Sequence, residues 1–205
     1  MMQKVMAISV GKISPLFDKG SAQQGRVLTA IRKSAVSTLD EPHGVAVGWN
    51  GLEGDEQADR EVHGGQDKAV YAYPSEHYDF WQDLLKRETH QRELLKWGAF
   101  GENLTVYGLT ESEVWVGDIW IIGEVELRVV KLREPCFKFN AKMNYKGASQ
   151  AMIQSATSGW YLKVIKPGVV SAGDDIKVYP GPRKLSIKEQ NQLLLEKKSA
   201  AASLF

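Results

Sequence analysis

Cys136 is the one cysteine among 205 residues, and it stands in the run Leu132-Arg-Glu-Pro-Cys-Phe-Lys-Phe139, directly after an alternating stretch. A lone thiol cannot close a disulfide within the chain, so packing or reactivity remains as its use. Free cysteines are commonly inert small hydrophobes in cores, and position alone leaves that reading level with the reactive one. The neighbours tilt the balance. Arg133 and Lys138 favour the thiolate, Glu134 opposes them, and Pro135 ends the strand so that the sulfur projects from a loop at its mouth.

Other residues offer weaker chemistry. His63 precedes Gly64 and Gly65, which allow a turn with backbone N–H groups aimed at an anion; a structural turn histidine fits the same pattern. Gly54-Asp55 reads either as turn capping or, with Arg60 and His63 nearby, as part of a site. Asp118 and Asp174 read as turn residues. Gly101-Glu102-Asn103 resembles a ligand-gripping loop, although hairpin loops look alike. The chain has no Walker loop, no dinucleotide fingerprint, no His-Glu-x-x-His helix, no paired-cysteine zinc pattern and no serine nucleophile elbow.

The 26 Lys and Arg against 25 Asp and Glu give a formal charge of +1, so no global basic excess draws the chain to nucleic acid or an anionic membrane. Any anion site must be local. Met1 to Val10 lacks a signal-peptide pattern, and no apolar run approaches the roughly 18 residues of a membrane span. A soluble, reducing, cytoplasmic setting is expected. The length supports one main domain, and 19 Gly with 6 Trp, 7 Tyr and 6 Phe suit a twisted sheet with tight turns.

Positioning falls to a series of strands. Apolar density and alternation predict strands at Met6 to Val10, about Lys33 to Leu39, from Ala69, at Leu104 to Tyr107, Val114 to Val116, Asp118 to Ile122, Glu126 to Lys131 and Trp160 to Ile165. Ser14 to Gly25 reads as a loop. Helices are expected over Ser75 to Lys86, with Ser75 as N-cap and Tyr78, Trp81, Leu84 and Leu85 on one face, near Gln91 to Lys96, and over Gly147 to Ser155. Gly117-Asp118 and Gly173-Asp174 each precede an apolar alternation, a recurring turn of a closed or partly closed barrel. Ser186-Ile-Lys-Glu189 is a capping-box pattern opening an appended helix through about Lys197. The fold class is therefore mainly β with peripheral helices, a barrel over 1–182 and a short helical tail over 183–205.

Six motifs occur in order: Gly51-Leu-Glu-Gly-Asp-Glu-Gln-Ala-Asp59, Val62-His-Gly-Gly-Gln-Asp-Lys-Ala69, Ala99-Phe-Gly-Glu-Asn-Leu104, Gly108-Leu-Thr-Glu-Ser112, Val116-Gly-Asp118 and Pro135-Cys-Phe-Lys138. Together, across about Met6 to Tyr179, they resemble the MOSC domain of the YiiM-like group. That group is similar to the C-terminal domain of molybdenum cofactor sulfurases and to the mitochondrial amidoxime reducing component. The resemblance implies a β-barrel that binds molybdenum cofactor, with Cys136 supplying a thiolate to the metal. It also implies reduction of N-hydroxylated compounds such as N-hydroxylated purine bases, in which molybdenum takes the oxygen of the N–O bond. Arg133, Lys68, Lys12 and Lys138 with the Gly64-Gly65 loop, Asp55 and Glu102 are the cofactor-binding candidates, and His63 and Asn103 would position cofactor or substrate. A single cysteine cannot ligate an iron–sulfur cluster and no flavin motif is present, so a separate reductase is expected as electron donor. Pyridoxal phosphate is not expected, and a homodimer is compatible with the sequence. The alternative is a carrier of the cofactor, or of persulfide sulfur on Cys136, without turnover. The related proteins often carry a longer helical tail, which leaves the role of this short one open.

Overall fold

Dense Val, Ile, Leu and aromatic residues in alternating runs dictate pleated, half-buried surfaces. The structure, a computed structural model, describes residues 2–17, 25–58 and 64–202. Its strands are β1 (Lys4–Val10), β2 (Ser14–Pro15), β3 (Leu28–Thr29), β4 (Ser34–Thr38), β5 (Val45–Gly48), β6 (Gly51–Leu52), β7 (Val70–Pro74), β8 (Leu104–Tyr107), β9 (Ile119–Ile122), β10 (Val125–Leu132), β11 (Trp160–Lys166), β12 (Gly168–Val170) and β13 (Ile176–Tyr179). The α-helices are α1 (Tyr78–Thr89), α2 (Phe137–Lys142), α3 (Ala148–Gln154) and α4 (Ile187–Ala202). One eight-stranded sheet runs β13-β9-β10-β11-β7-β8-β1-β4, antiparallel except where β7 meets β8. It curls until the Val5 N–H reaches the Asp174 carbonyl (3.0 Å), while the Gly173 and Ile176 N–H groups reach Val5 and Gln3 (both 2.8 Å). The expected barrel is thus present and partly closed.

Two cores flank β7, every residue of which is buried. Because side chains alternate along a strand, Val70 and Ala72 enter the barrel core with Trp120, Leu127 and Trp160, while Tyr71 and Tyr73 enter a second core under α1 to α3. α1 buries Tyr78, Trp81, Leu84 and Leu85, the face expected from the sequence. That outer core is strongly aromatic: Phe100 stacks on Tyr73 with ring centroids 4.3 Å apart, and Phe139 meets Trp81 edge-on at 5.5 Å. α2, the helix that follows Cys136, is anchored here through Phe139.

Several expectations need correction. Gln91 to Lys96 forms no helix: α1 ends at the left-handed His90 (φ 59°), and the Gln82 side chain satisfies the Leu95 N–H (2.8 Å) and Glu93 carbonyl (3.0 Å) across the loop. Ser75 makes no capping bond and opens a 3₁₀ turn before α1. Val114 to Val116 contributes one isolated bridge, between Trp115 and Ser186, in place of a strand. The Ser186 capping box forms in both directions, with Ser186 N–H to Glu189 Oε2 at 2.7 Å and Glu189 N–H to Ser186 Oγ at 3.1 Å. The helix it opens extends to Ala202, and its first turns are packed inward through buried Ile187 and Asn191. Ser14–Pro15 pairs with Leu28–Thr29, while part of the expected 14–25 loop, with the whole of residues 18–24, lies outside the described residues. No helix among the described residues is long and apolar enough to cross a membrane.

Candidate active site

β10 delivers the cysteine. At the strand's end the Leu132 N–H donates to Gln190 Oε1 on α4 (2.7 Å), and the Arg133 N–H donates to the Gly159 carbonyl (3.1 Å). Gly159 has φ 63°, and a Cβ there would stand 2.5 Å from the Ala72 carbonyl oxygen, so only glycine permits this approach of the strands. The chain then crosses Pro135 to Cys136, extended at φ −129° and ψ −178°, which is the residue before α2. The Cys136 carbonyl accepts from the Phe139 N–H and the Ser149 hydroxyl, both at 2.9 Å. These bonds fix the backbone on either side of a partly buried thiol.

That thiol lines a cavity of about 120 Å³, whose wall also holds Lys33, Asp55, Lys68, Asn103, Arg133 and Lys138. Tyr71, Phe100 and Tyr161 add aromatic surface. A second hollow of about 310 Å³ shares Cys136, Lys68 and Tyr161 with the first and adds Lys131, while a third of about 230 Å³ shares Asp55 and Glu56. Cys136 therefore sits between two joined hollows.

Arg133 is the most informative wall residue. It is 6% exposed, its Nη1 donates to the Met152 thioether (3.3 Å), and its guanidinium lies over Phe139 (4.8 Å) and Tyr71 (5.5 Å). Among the described residues it makes no ion pair. A buried cation is costly to leave without an anion, and Arg133, bonded to the Tyr161 phenol and lining this cavity with no ionic partner among the described residues, suits the receipt of one. Burial raises the Tyr161 phenol, and the Arg133 charge opposes that rise.

Opposite lies a fixed polar cluster. Asp55 Oδ1 accepts from the Gly11 N–H (2.8 Å) and from the Lys33 ammonium, and its Oδ2 accepts from Asn103 Nδ2 (2.9 Å). Asn103 is itself held by the Tyr71 N–H on Oδ1 (3.1 Å) and by donation to the Ser9 carbonyl (3.2 Å). Its amide is thus saturated by protein partners, and its place is to hold Asp55. Burial pushes the Lys33 ammonium below its ordinary value, against the attraction of Asp55.

The structure brings Cys136, Asn103, Lys68, Arg133, Lys138 and Asp55 to one cavity and leaves other expected residues apart. Glu102 is fully buried behind the wall, where its carboxylate accepts from the Gly98 (2.9 Å) and Phe100 (3.0 Å) N–H groups, the Thr105 hydroxyl (3.0 Å) and the Tyr78 hydroxyl. It shapes the loop and has no surface for a ligand. Lys12 is exposed and pairs with Glu56 at 3.2 Å, off the wall. Gly64 and Gly65 do not line the cavity either, and the Gly65 N–H is taken by Gln57 Oε1 (2.9 Å), so the expected inward donor is spent. His63 lies outside the described residues. Lys138 Nζ reaches the Leu28 carbonyl (3.3 Å). The residue that sequence reasoning missed is Lys33: it follows Arg32 at the start of a strand, 22 residues from its acidic partner, with no local pattern to mark it. Asp174 is a turn residue as expected, accepting from the Ser171 N–H (2.8 Å), whereas Asp118 caps no local donor among the described residues: its Oδ1 accepts from the Gly181 N–H (2.7 Å), 63 residues away, and lies 3.6 Å from the Arg183 guanidinium.

Cys136 and the buried Arg133 thus line one cavity of a curled, mainly β scaffold. The profile of the MOSC domain matches residues 59–177, more than half of the chain, and the chain belongs to the MOSC domain family. It is 42% identical over 139 residues to the protein YiiM of Escherichia coli (strain K12), a match covering 68% of this chain and 61% of that protein. It is 33% identical over 165 residues to a protein of Gibberella moniliformis named "Reductase", covering 80% of this chain and 28% of that much longer one. The crystal structure of YiiM from Geobacillus stearothermophilus superposes with a TM-score of 0.72 at 32% identity, over 98% of this chain and 87% of that one. The chain thus spans less than two thirds of these two curated relatives.

Proposed function

We propose that the chain binds molybdenum cofactor and reduces N-hydroxylated compounds, N-hydroxylated purine bases among them, with electrons from a separate reductase. The observation that carries this reading is the convergence on a single cavity of the one thiol and a buried guanidinium that makes no ion pair among the described residues. The donor set fits the group: Cys136 offers a soft sulfur to the metal, and Arg133, with Lys68 and Lys138 on the same wall, offers charge for the cofactor's phosphate. When bound, the cofactor supplies the two-electron reduction that breaks the N–O bond. Among the described residues no group of three or more His, Cys, Asp or Glu is placed to hold a bare ion, which accords with a metal brought in by its own ligand.

The remaining steps belong to the chain. Asn103 fixes Asp55, Asp55 fixes Lys33, and the joined hollow beside Cys136 leaves room for a flat substrate against Tyr161. Ring stacking there would hold a purine without reading its edges. The reductase name of the fungal relative, which extends far beyond the matched segment, supports a redox role and a donor supplied from outside this chain. The test is reduction of an N-hydroxylated purine by protein made in a cofactor-competent host, with reduced viologen as donor. Turnover by the wild type and its loss in Cys136→Ser support the reading. Cofactor retention with no turnover of any N-hydroxylated compound would establish the carrier instead.

A further inference from the structure

We propose that Lys33, held against Asp55, is the proton donor for N–O cleavage, a role that rests on the reductase reading above. Both side chains are 7% exposed, and both line the cavity that Cys136 enters. Asp55 cannot swing away, because the Gly11 N–H and the Asn103 amide hold its other contacts and Asn103 is pinned by Tyr71 and Ser9. An ammonium carries three donors, and among the described residues Asp55 is the only hydrogen-bond acceptor of Lys33. Two N–H groups remain for a ligand. Arg133 and the wall phenols serve poorly: a guanidinium does not release its proton, and burial raises the phenols of Tyr71 and Tyr161.

The charged groups around the pair define its behaviour. Asp55 and, from the loop before β8, the buried Glu102 act directly on Lys33. Glu56 and Glu134 lie further along the wall, with Lys68, Arg133 and Lys138 as the cations. Burial prevails over the acidic neighbours and lowers the ammonium toward the pH at which a donor works best. In the reaction, the N–O bond breaks, the oxygen leaves as water and an N–H bond forms. That consumes two electrons, supplied by the external reductase, and two protons. Lys33 gives one proton to the departing oxygen, solvent at the cavity mouth gives the other to nitrogen, and solvent then reprotonates Lys33 while Asp55 holds it in place.

The test joins a metal-free measurement to a catalytic one. In metal-free protein, lysine ¹³Cε NMR should show two ammoniums titrating below the others, those of buried Lys33 and Lys142, of which one is absent in Lys33→Arg. In loaded protein, Lys33→Ala should lose at least about 100-fold in kcat, with unchanged molybdenum content and partial rescue by methylammonium. Lys33→Arg keeps the charge beside Asp55, so the same loss there separates proton donation from folding. An ordinary Lys33 titration, or unchanged kcat and pH profile in both variants, overturns the proposal. A loaded wild type that reduces no N-hydroxylated compound overturns the reductase reading, and this role with it, whatever the NMR shows.

Discussion

Replacing Arg133 by methionine should make the metal-free protein more stable while destroying its anion site. In the wild type the guanidinium is 6% exposed and forms no ion pair among the described residues. An effective burial penalty of several kcal/mol is expected for such an ion. Against it stand contacts with the Phe139 and Tyr71 rings at 4.8 and 5.5 Å, about 1–2 kcal/mol each, and a weak bond to the Met152 sulfur. A methionine of similar length keeps the apolar contact with both rings and removes the charge, for a net gain of roughly 1–2 kcal/mol. For a domain of this size the Tm should rise by about 2–8 °C. Scanning calorimetry reads this directly, and repeating it in inorganic phosphate adds a ligand arm. Phosphate should raise the Tm of the wild type and leave Arg133→Met unmoved, since only an anion bound to the folded state stabilises it. A fall of several degrees in the variant, or an equal phosphate shift in both proteins, would show that the guanidinium serves the fold and refute the reasoning.

Two further outcomes follow from the same contacts. Burial raises the Glu102 carboxyl above its ordinary 4.5, so the folded chain keeps a proton that the unfolded chain has released; its contribution is full below that ordinary value and is lost as pH rises through the folded one. Denaturant titrations from pH 4 upward should show that slope in the wild type and a flatter one in Glu102→Gln. Ser186→Ala removes the hydroxyl half of the capping box and should cost about 1 kcal/mol, a Tm drop of about 2–4 °C, leaving cofactor content unaltered.

Periodicity exposed most of the scaffold because a half-buried strand or helix writes its burial into the sequence: the α1 face and β8 were legible for that reason. Val114 to Val116 misled because an apolar run shows burial and not a pairing partner. The Gln91 to Lys96 segment misled because a side chain from α1 replaced the helical bonds that local propensity favours. In the site, Cys136 stood out by its rarity and Arg133 by adjacency, whereas Lys33, just before β4, and Asp55, in the loop after β6, become partners only in the folded chain, because β4 and β6 belong to different sheets. Glu102 shows the converse. Its place in a motif suggested a ligand contact, but four donors already surround its carboxylate.

X-ray absorption at the molybdenum edge probes the sulfur at the centre of the site. Protein from a cofactor-competent host should contain molybdenum with one more sulfur neighbour than the cofactor's own pair provides, and Cys136→Ser should lose that neighbour while keeping its fold. An unchanged sulfur shell in the variant, or wild-type protein that takes up no molybdenum in such a host, would contradict the account.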